Sequence, residues 1–157
     1  MKASVYVETS VISYAVGHLS HSLQVAANQQ ITRQWWNHAQ RRWHLLISPL
    51  VIAEAGEGDR GLSLARVRKL QGIEVLPTTQ EIMDCTAYYM KHLLLPRKAY
   101  VDAGHLAHAV QHKLDYLVTW NCTHIANGQV LQRLRKLNDI RGWHTPLVVT
   151  PEFLMEE

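Results

Sequence analysis

The sequence predicts a three-layer α/β/α fold, in which helices cover both faces of a five-stranded parallel sheet. Short apolar runs alternate along the chain with longer segments whose apolar residues recur at helical spacing. Within the short runs nearly every position is apolar, which is typical of strands buried on both faces. The chain has 157 residues, of which 47% are hydrophobic, so we expect one domain spanning residues 1–157 around a single core.

Five short apolar segments are predicted to form the strands of this sheet. The first ends abruptly at Glu8, and the fourth is followed by Asn121. Helical segments separate the strands, so each crossover can return the chain to the same edge, as a parallel sheet requires. The predicted strands are residues 4–7, 45–47, 73–76, 116–120 and 147–149.

Helices are predicted between the strands from apolar periodicity and capping residues. Ser48 followed by Pro49 favours a helix start, because serine can accept a bond from a free backbone N–H and proline suits the first helical position. Asp59 can cap a further helix, and Thr78 with Glu81 matches a capping box. The predicted helices begin near residues 11, 19, 48, 59, 78, 99 and 127, and the second is expected to break near residues 21–22.

The charge and the hydropathy pattern restrict the class of protein. The net charge of +3 and the pI near 9.0 are compatible with a polyanionic partner, although the basic residues occur in small groups that also suit solvated helix faces. No apolar run approaches the ~20 residues of a membrane span, and no signal peptide is recognisable. Cys85 and Cys122 are isolated, which favours reduced thiols. We therefore expect a cytoplasmic protein that does not enter a membrane.

Acidic residues are predicted to gather at one edge of the sheet. Glu8 lies at the end of the first strand, and Glu54 lies on the helix after the second, where Glu57 is the competing candidate. Asp102 lies on the helix before the fourth strand, whose end is Asn121. Ligands bind beyond the carboxyl ends of parallel strands, and an oxygen-rich site without cysteine suits Mg²⁺ or Mn²⁺. The sequence therefore predicts a divalent-metal site at this edge.

The segments that carry these residues resemble a known family. VYVETSVISY, SPLVIAEAG, YVDAGHLAHAV, LDYLVTWNCTHI and the closing VVTPEFL are similar, in order and spacing, to the motifs of PIN-domain proteins, specifically the VapC-like ribonuclease toxins. The resemblance covers essentially the whole chain. It implies a five-stranded parallel sheet and a cluster of acids that holds magnesium or manganese. By position it assigns Glu8, Glu54 and Asp102 to the first three acids, Asn121 to the fourth place, and Ser10 to the hydroxyl residue after the first acid.

The resemblance implies that the protein is a metal-dependent endoribonuclease. Such an enzyme hydrolyses RNA phosphodiesters as the toxin of a type II toxin-antitoxin system, with an antitoxin protein as a partner and a homodimer as its assembly. The sequence departs from the family pattern twice, because Glu8 stands where aspartate is usual and Asn121 is neutral. The alternative is therefore a catalytically weakened PIN-fold module that binds nucleic acid or a protein partner without cleavage.

Three of the candidate site residues also have an ordinary structural explanation. Asp102 also suits an acid near the start of a helix, where many helices carry one because it interacts favourably with the helix dipole. Asn121 suits an ordinary cap or turn, and Ser10 suits the first turn of a helix. These alternatives remain open at the level of the sequence.

Histidines raise the separate hypothesis of a zinc hydrolase. His108 and His112 have the i, i+4 spacing of zinc-binding helices, but no general-base glutamate lies between them and no third ligand is evident. His105, one turn from Asp102, is better explained as packing or hydrogen-bonding beside the acidic site. Cys122 and His124 form an isolated C-x-H pair, for which an incidental origin is favoured.

Overall fold

The computed structural model describes residues 1–155, and its centre is a five-stranded sheet in which every pairing is parallel. The strands are β1 (Ser4–Val7), β2 (His44–Ile47), β3 (Glu74–Val75), β4 (Tyr116–Val118) and β5 (Leu147–Val149). Their order across the sheet is β3-β2-β1-β4-β5, so β1 is the central strand. The chain builds outward from β1 in both directions, which makes the β1–β4 boundary the point where the strand order reverses.

Helices cover both faces of this sheet. Val5, Tyr6 and Val7 are each 0% exposed, and successive residues of a strand point to opposite faces, so both faces of β1 are covered. This confirms the predicted α/β class and is consistent with the three-layer, PIN-like arrangement. Within the described residues the helices are α1 (Thr9–Val16), α2 (Leu23–Arg42), α3 (Pro49–Ala55), α4 (Arg60–Lys69), α5 (Gln80–His92), α6 (Tyr100–Gln111) and α7 (Gly128–Arg141).

Most of the predicted helix starts are confirmed. Ser22 caps α2, which explains the predicted break near residues 21–22, and Ser48 caps α3 with Pro49 in the first helical position. Asp59 accepts a bond from the N–H of Leu62 and so caps α4 as expected. None of the helices in residues 1–155 combines the length and apolarity that crossing a membrane requires.

The capping box predicted from Thr78 is wrong by one residue. Thr79 is the N-cap of α5 and accepts a bond from the N–H of Ile82, whereas the Thr78 hydroxyl lies 2.9 Å from His108 Nε2. The hydroxyl of Thr78 is therefore used in a contact between segments distant in sequence, which the local pattern does not reveal.

β4 ends earlier than predicted. The ladder stops at Val118, and the hydroxyl of the next residue, Thr119, accepts the N–H of Asn121 at 2.9 Å. Strand β3 is also shorter than predicted, since only Glu74 and Val75 pair with β2. The last two residues of the predicted fourth strand thus begin a turn at the carboxyl edge of the sheet.

Close packing of α6 against α3 brings two of the crossover helices together at this edge. All residues from Ala103 to Val110 are buried. A Cβ atom at Gly104 would lie 2.6 Å from Leu50 Cδ1, so the glycine permits an approach that a larger residue would obstruct. The neighbouring residue His105 is thereby held close to α3.

A buried hydrogen bond between α5 and α7 gives a test of the packing on one side of the sheet. The Tyr89 hydroxyl donates to Asn138 Oδ1 at 2.5 Å, and both side chains are fully buried. Because Tyr89→Phe would leave this amide oxygen without its donor, we expect the free energy of unfolding to fall by about 1–3 kcal/mol. Urea denaturation followed by circular dichroism measures the change.

The neighbouring tyrosine provides the matched control for this substitution. Tyr88 is half-buried and contacts His92 and Arg141 through its ring. Tyr88→Phe keeps the ring, so the unfolding free energy should change by less than about 0.5 kcal/mol. Equal effects of the two substitutions would contradict a special contribution from the Tyr89–Asn138 bond.

Candidate metal centre

Glu8 is positioned by the end of the central strand and the start of α1. Its backbone N–H donates to the carbonyl of Val118 at 3.1 Å, which continues the pairing between β1 and β4 by one residue. Its extended backbone makes it the N-cap of α1. The carboxylate consequently lies at the carboxyl edge of the sheet, where the strand order reverses, as predicted.

The Glu8 carboxylate is buried, with 4% of the residue exposed, and neutral donors surround it. Oε1 accepts from the hydroxyls of Ser10 and Thr119, both at 2.5 Å, and Oε2 accepts from the N–H of Ser10 at 3.1 Å. Each hydroxyl also accepts a backbone N–H, that of Trp120 at 2.8 Å or that of Asn121 at 2.9 Å. Ser10 therefore orients the acid and links it to the end of β4.

Glu54, near the end of α3, approaches the same region from the neighbouring crossover. Its Oε1 accepts from the Thr9 hydroxyl and from His105 Nε2, both at 2.6 Å. The side chain is 31% exposed, and the bonds that we observe within residues 1–155 both end on Oε1. Glu54 Oε2 is thus the oxygen that remains available to a ligand.

His105, on α6, is fully buried and holds Glu54 from the protein interior. Its Nδ1 lies 2.6 Å from the Tyr6 hydroxyl, which lies 2.7 Å from Ser48 Oγ. Both ring nitrogens therefore have partners within the protein. A chain of hydrogen bonds runs from the N-cap of α3 through β1 and α6 to the Glu54 carboxylate.

The pKa values of His105 and Glu54 shift in opposite directions. Burial alone would lower the pKa of His105, but the hydrogen bond to Glu54 and the charges of Glu8, Glu54 and Asp102 outweigh it and raise that pKa above 6.5. Burial alone would raise the pKa of Glu54, yet the hydrogen bond and charge of His105 outweigh it and lower that pKa below 4.5. Each partner of this pair therefore stabilises the charged form of the other.

The side chains of Glu8, Glu54 and His105 form a group that could hold a metal ion. One ligand atom from each residue lies within 4.8 Å of the others. Ligand atoms that share an ion at about 2.1–2.2 Å must lie within roughly 4.4 Å of one another, so small side-chain movements suffice to form such a site. Two carboxylates and one imidazole are chemically suited to a divalent cation.

Asp102 lies beside this group but makes a different contact. The residue is in the first turn of α6, and its Oδ2 accepts from His124 Nδ1 at 2.9 Å. The sequence predicted that Glu8, Glu54 and Asp102 share one cation-sized cavity. Within residues 1–155 the compact group of ligand atoms contains Glu8, Glu54 and His105, whereas Asp102 acts on it through its charge.

Asn121 occupies the turn after β4. Its Oδ1 accepts from the N–H of His124 at 3.0 Å, and its own N–H donates to the Thr119 hydroxyl. The side chain therefore makes the turn contact that was the structural alternative for this residue. Because Thr119 also donates to Glu8, the turn and the buried acid are connected.

The other sequence candidates lie outside the group of ligand atoms. His108 Nδ1 donates to the Gly104 carbonyl at 2.7 Å, and His112 Nε2 donates to the Pro77 carbonyl at 3.0 Å, so the spacing suggestive of zinc reflects two separate structural bonds. Glu57 and Cys122 are exposed and belong to no potential ligand group among the described residues.

Sequence reasoning missed the residues that support the site. The sequence pattern did not single out Thr9 or Thr119. Thr9 nevertheless follows the acid at the end of β1, and Thr119 follows the last residue of β4. Tyr6 also gave a signal, because a tyrosine in a buried valine-rich strand needs a partner for its hydroxyl. His105 was expected beside the site, and its bond to Glu54 confirms that position.

Comparisons of the chain with models of known protein families and with curated proteins found no match.

The two buried histidines of α6 should respond oppositely to pH. His105 has a raised pKa, so its contribution to stability is complete below 6.5 and is lost as the pH rises through its folded-state pKa. Burial lowers the pKa of His108 with help from the charges of His105 and His112, although its bond to Gly104 opposes this. Its contribution is therefore complete above 6.5 and is lost as the pH falls.

These signs predict the behaviour of two matched variants without metal. We expect His105→Gln to lower the unfolding free energy by about 1–3 kcal/mol, with the larger loss at pH 5.5 than at pH 8. His108→Gln should show the larger loss at pH 8. Denaturant unfolding in EDTA at both pH values measures the differences from wild type, and the same sign for both variants would contradict the assignment.

Proposed function

We propose that this protein is a divalent-metal-dependent endoribonuclease that hydrolyses RNA phosphodiesters. The observation that carries the proposal is the convergence of Glu8, Glu54 and His105 within 4.8 Å at the carboxyl edge of a parallel sheet. Ligands characteristically bind at this edge of such sheets, at the point where the strand order reverses. The resemblance of the sequence to PIN-domain ribonuclease toxins adds the reaction and the class of substrate.

The carboxylates of Glu8 and Glu54 would hold the ion. A bound divalent cation supplies an activated water and neutralises charge on the leaving oxygen of a phosphodiester. The protein contributes pre-orientation, because Ser10 and Thr119 fix Glu8 while Thr9 and His105 fix Glu54. Two donors bond to Oε1 of each acid, whereas the bond that we observe to Glu8 Oε2 is from the Ser10 N–H and Glu54 Oε2 receives none within residues 1–155, so the Oε2 oxygens are the better placed to meet an ion.

Asp102 is proposed as the third acid on the strength of the resemblance. Its Oδ2 is bonded to His124, which leaves Oδ1 to reach an ion or its water. The side chain is 17% exposed, so a ligand from solvent can approach it. Asn121 contributes to this arrangement indirectly, through its bonds to the backbone of His124 and to Thr119.

The proposed substrate is RNA, and two features support a polyanionic substrate with exposed bases. The chain has a net charge of +3, which favours association with phosphates. Tyr14 and Trp120 stack with ring centroids 5.6 Å apart, and the backbone N–H of Trp120 donates to the Ser10 hydroxyl beside Glu8. Aromatic rings next to a phosphate site suit the stacking of single-stranded bases.

The biological role follows from the same resemblance. We propose a cytoplasmic toxin of a type II toxin-antitoxin system, with an antitoxin protein as its inhibitor and a homodimer as its assembly. Co-expression with the product of the adjacent reading frame, followed by co-purification, tests the partnership. Size-exclusion chromatography with light scattering tests the dimer.

Cleavage of single-stranded RNA in the presence of Mg²⁺ or Mn²⁺ tests the activity. Glu54→Gln keeps the shape of the side chain but removes a charged ligand, so we expect the cleavage rate to fall about 100-fold or more. Glu57→Gln is the matched control, because Glu57 is exposed and outside the group, and its rate should stay within about twofold of wild type. EDTA should abolish cleavage by wild type. Wild-type cleavage that does not exceed that of Glu54→Gln would contradict the proposal.

A second function is favoured by the neutral side chain at the fourth position. Asn121 brings no charge and its oxygen is occupied by the His124 N–H, so the site has fewer free anionic ligands than four acids would provide. On this alternative the chain binds nucleic acid or a protein partner without cutting. RNA binding that persists in EDTA, together with absent cleavage in either metal, would select it.

A further inference from the structure

We propose that His105 is itself a ligand of the metal, through Nε2, and that the centre therefore takes Mn²⁺ in preference to Mg²⁺. This inference rests on the proposed function in taking a divalent cation as the ion held by Glu8 and Glu54. It adds a nitrogen ligand to what the sequence predicts as an all-oxygen site.

The position of Nε2 is the first support for this assignment. The atom lies 2.6 Å from Glu54 Oε1, and His105 contributes one ring nitrogen to the group whose ligand atoms are all within 4.8 Å of one another. Adjacent ligands of a six-coordinate ion are about 3 Å apart when the bonds are about 2.1–2.2 Å long. If His105 Nε2 and the Glu54 carboxylate move apart by a few tenths of an ångström, both can therefore bind one ion, and the proton on Nε2 is released to solvent.

The second support lies outside the group of ligand atoms, on the opposite side of the imidazole ring. Nδ1 is 2.6 Å from the Tyr6 hydroxyl, which is 2.7 Å from Ser48 Oγ, and all three side chains are buried. Metal-ligating histidines almost always direct the second ring nitrogen to such a partner, which fixes the tautomer and the ring orientation. With an ion on Nε2, Nδ1–H donates to Tyr6 and Tyr6 donates to Ser48.

The burial of His105 limits the partners that its ring nitrogens can find. His105 is 0% exposed, so its ring cannot turn toward bulk water when Glu54 engages an ion. Because Nδ1 already bonds to Tyr6, Nε2 is the ring nitrogen that can meet an ion held by the two carboxylates. A cation in that position meets all three side chains at once.

The chemistry of the ligands distinguishes Mn²⁺ from Mg²⁺. Mg²⁺ is a hard ion that prefers oxygen and retains much of its water, whereas transition-metal ions accept imidazole nitrogen readily. A site with two carboxylates and one imidazole should therefore favour Mn²⁺ over Mg²⁺. A site made of the carboxylates alone would discriminate less between the two.

Pulsed electron paramagnetic resonance of the full chain loaded with Mn²⁺ alone, without RNA, tests direct ligation. We expect a nitrogen modulation from a coordinated imidazole, and we expect its pattern to change when the histidines carry ¹⁵N. His105→Gln should remove the modulation. Because the isotope experiment uses wild-type protein, the test does not depend on the folding of a variant.

Two further histidines provide matched controls. His108 is buried on the same helix and bonds to Gly104, and His124 lies beside Asp102. Both His108→Gln and His124→Gln should retain the modulation. If the nitrogen modulation were lost in His124→Gln but kept in His105→Gln, the ligand would be His124 and the assignment to His105 would be overturned.

Metal competition measures the consequence for selectivity. We expect His105→Gln to weaken Mn²⁺ binding at least tenfold while changing Mg²⁺ binding much less. Tyr6→Phe keeps the nitrogen ligand but removes its hydroxyl partner, so it should preserve the modulation and weaken Mn²⁺ binding about tenfold. Equal weakening of both ions by His105→Gln would overturn the selectivity argument.

The spectroscopic and catalytic outcomes separate the two proposals. RNA cleavage with bound Mn²⁺ but without nitrogen modulation would overturn the role of His105 and leave the nuclease proposal standing. Nitrogen modulation in a protein that cuts no RNA would support His105 as a ligand and overturn the nuclease proposal.

Discussion

The burial of the Glu8 carboxylate at the end of the central strand is the constraint on which the site depends. A buried anion is costly unless hydrogen bonds compensate it, and the donors here come from the two segments that flank the β1–β4 boundary. Ser10 belongs to the helix that follows β1, and Thr119 follows β4 directly. The register of two parallel strands therefore determines whether this acid can be accommodated.

Sequence pattern was sufficient for the sheet because most residues of its three inner strands, β1, β2 and β4, are buried. Runs such as residues 5–7 and 116–118 contain only apolar and aromatic residues, and their order with capped helices predicts the parallel architecture. The approach of Glu54 to Glu8 follows from that architecture, since both come after neighbouring strands. The contacts of Thr78 and His105 were harder to predict, because they join segments far apart along the chain and depend on rotamers that no periodicity encodes.

Helix α6 shows how one element can place chemically identical residues in different states. His105 and His108 are one turn apart and both buried, yet one faces carboxylates and the other a backbone carbonyl and a hydroxyl. The first environment favours the charged ring and the second the neutral ring. Because helical spacing alone would treat the two as equivalent, the sequence pattern could not reveal this division.

The pairing of carboxylates with imidazoles explains how three acids are tolerated near one edge of the sheet. Asp102 and His105, one turn apart on α6, bond to His124 and Glu54 respectively, so each of these acids has its own imidazole partner. Glu8 instead relies on hydroxyl and backbone donors. An ion bound by Glu8 and Glu54 would lie beside His105, whereas an ion that also binds Asp102 would lie near His124. Since Glu54 and Asp102 each have an imidazole partner, what distinguishes them is distance: Glu54 already shares a group of ligand atoms with Glu8, and among the described residues Asp102 is not in that group.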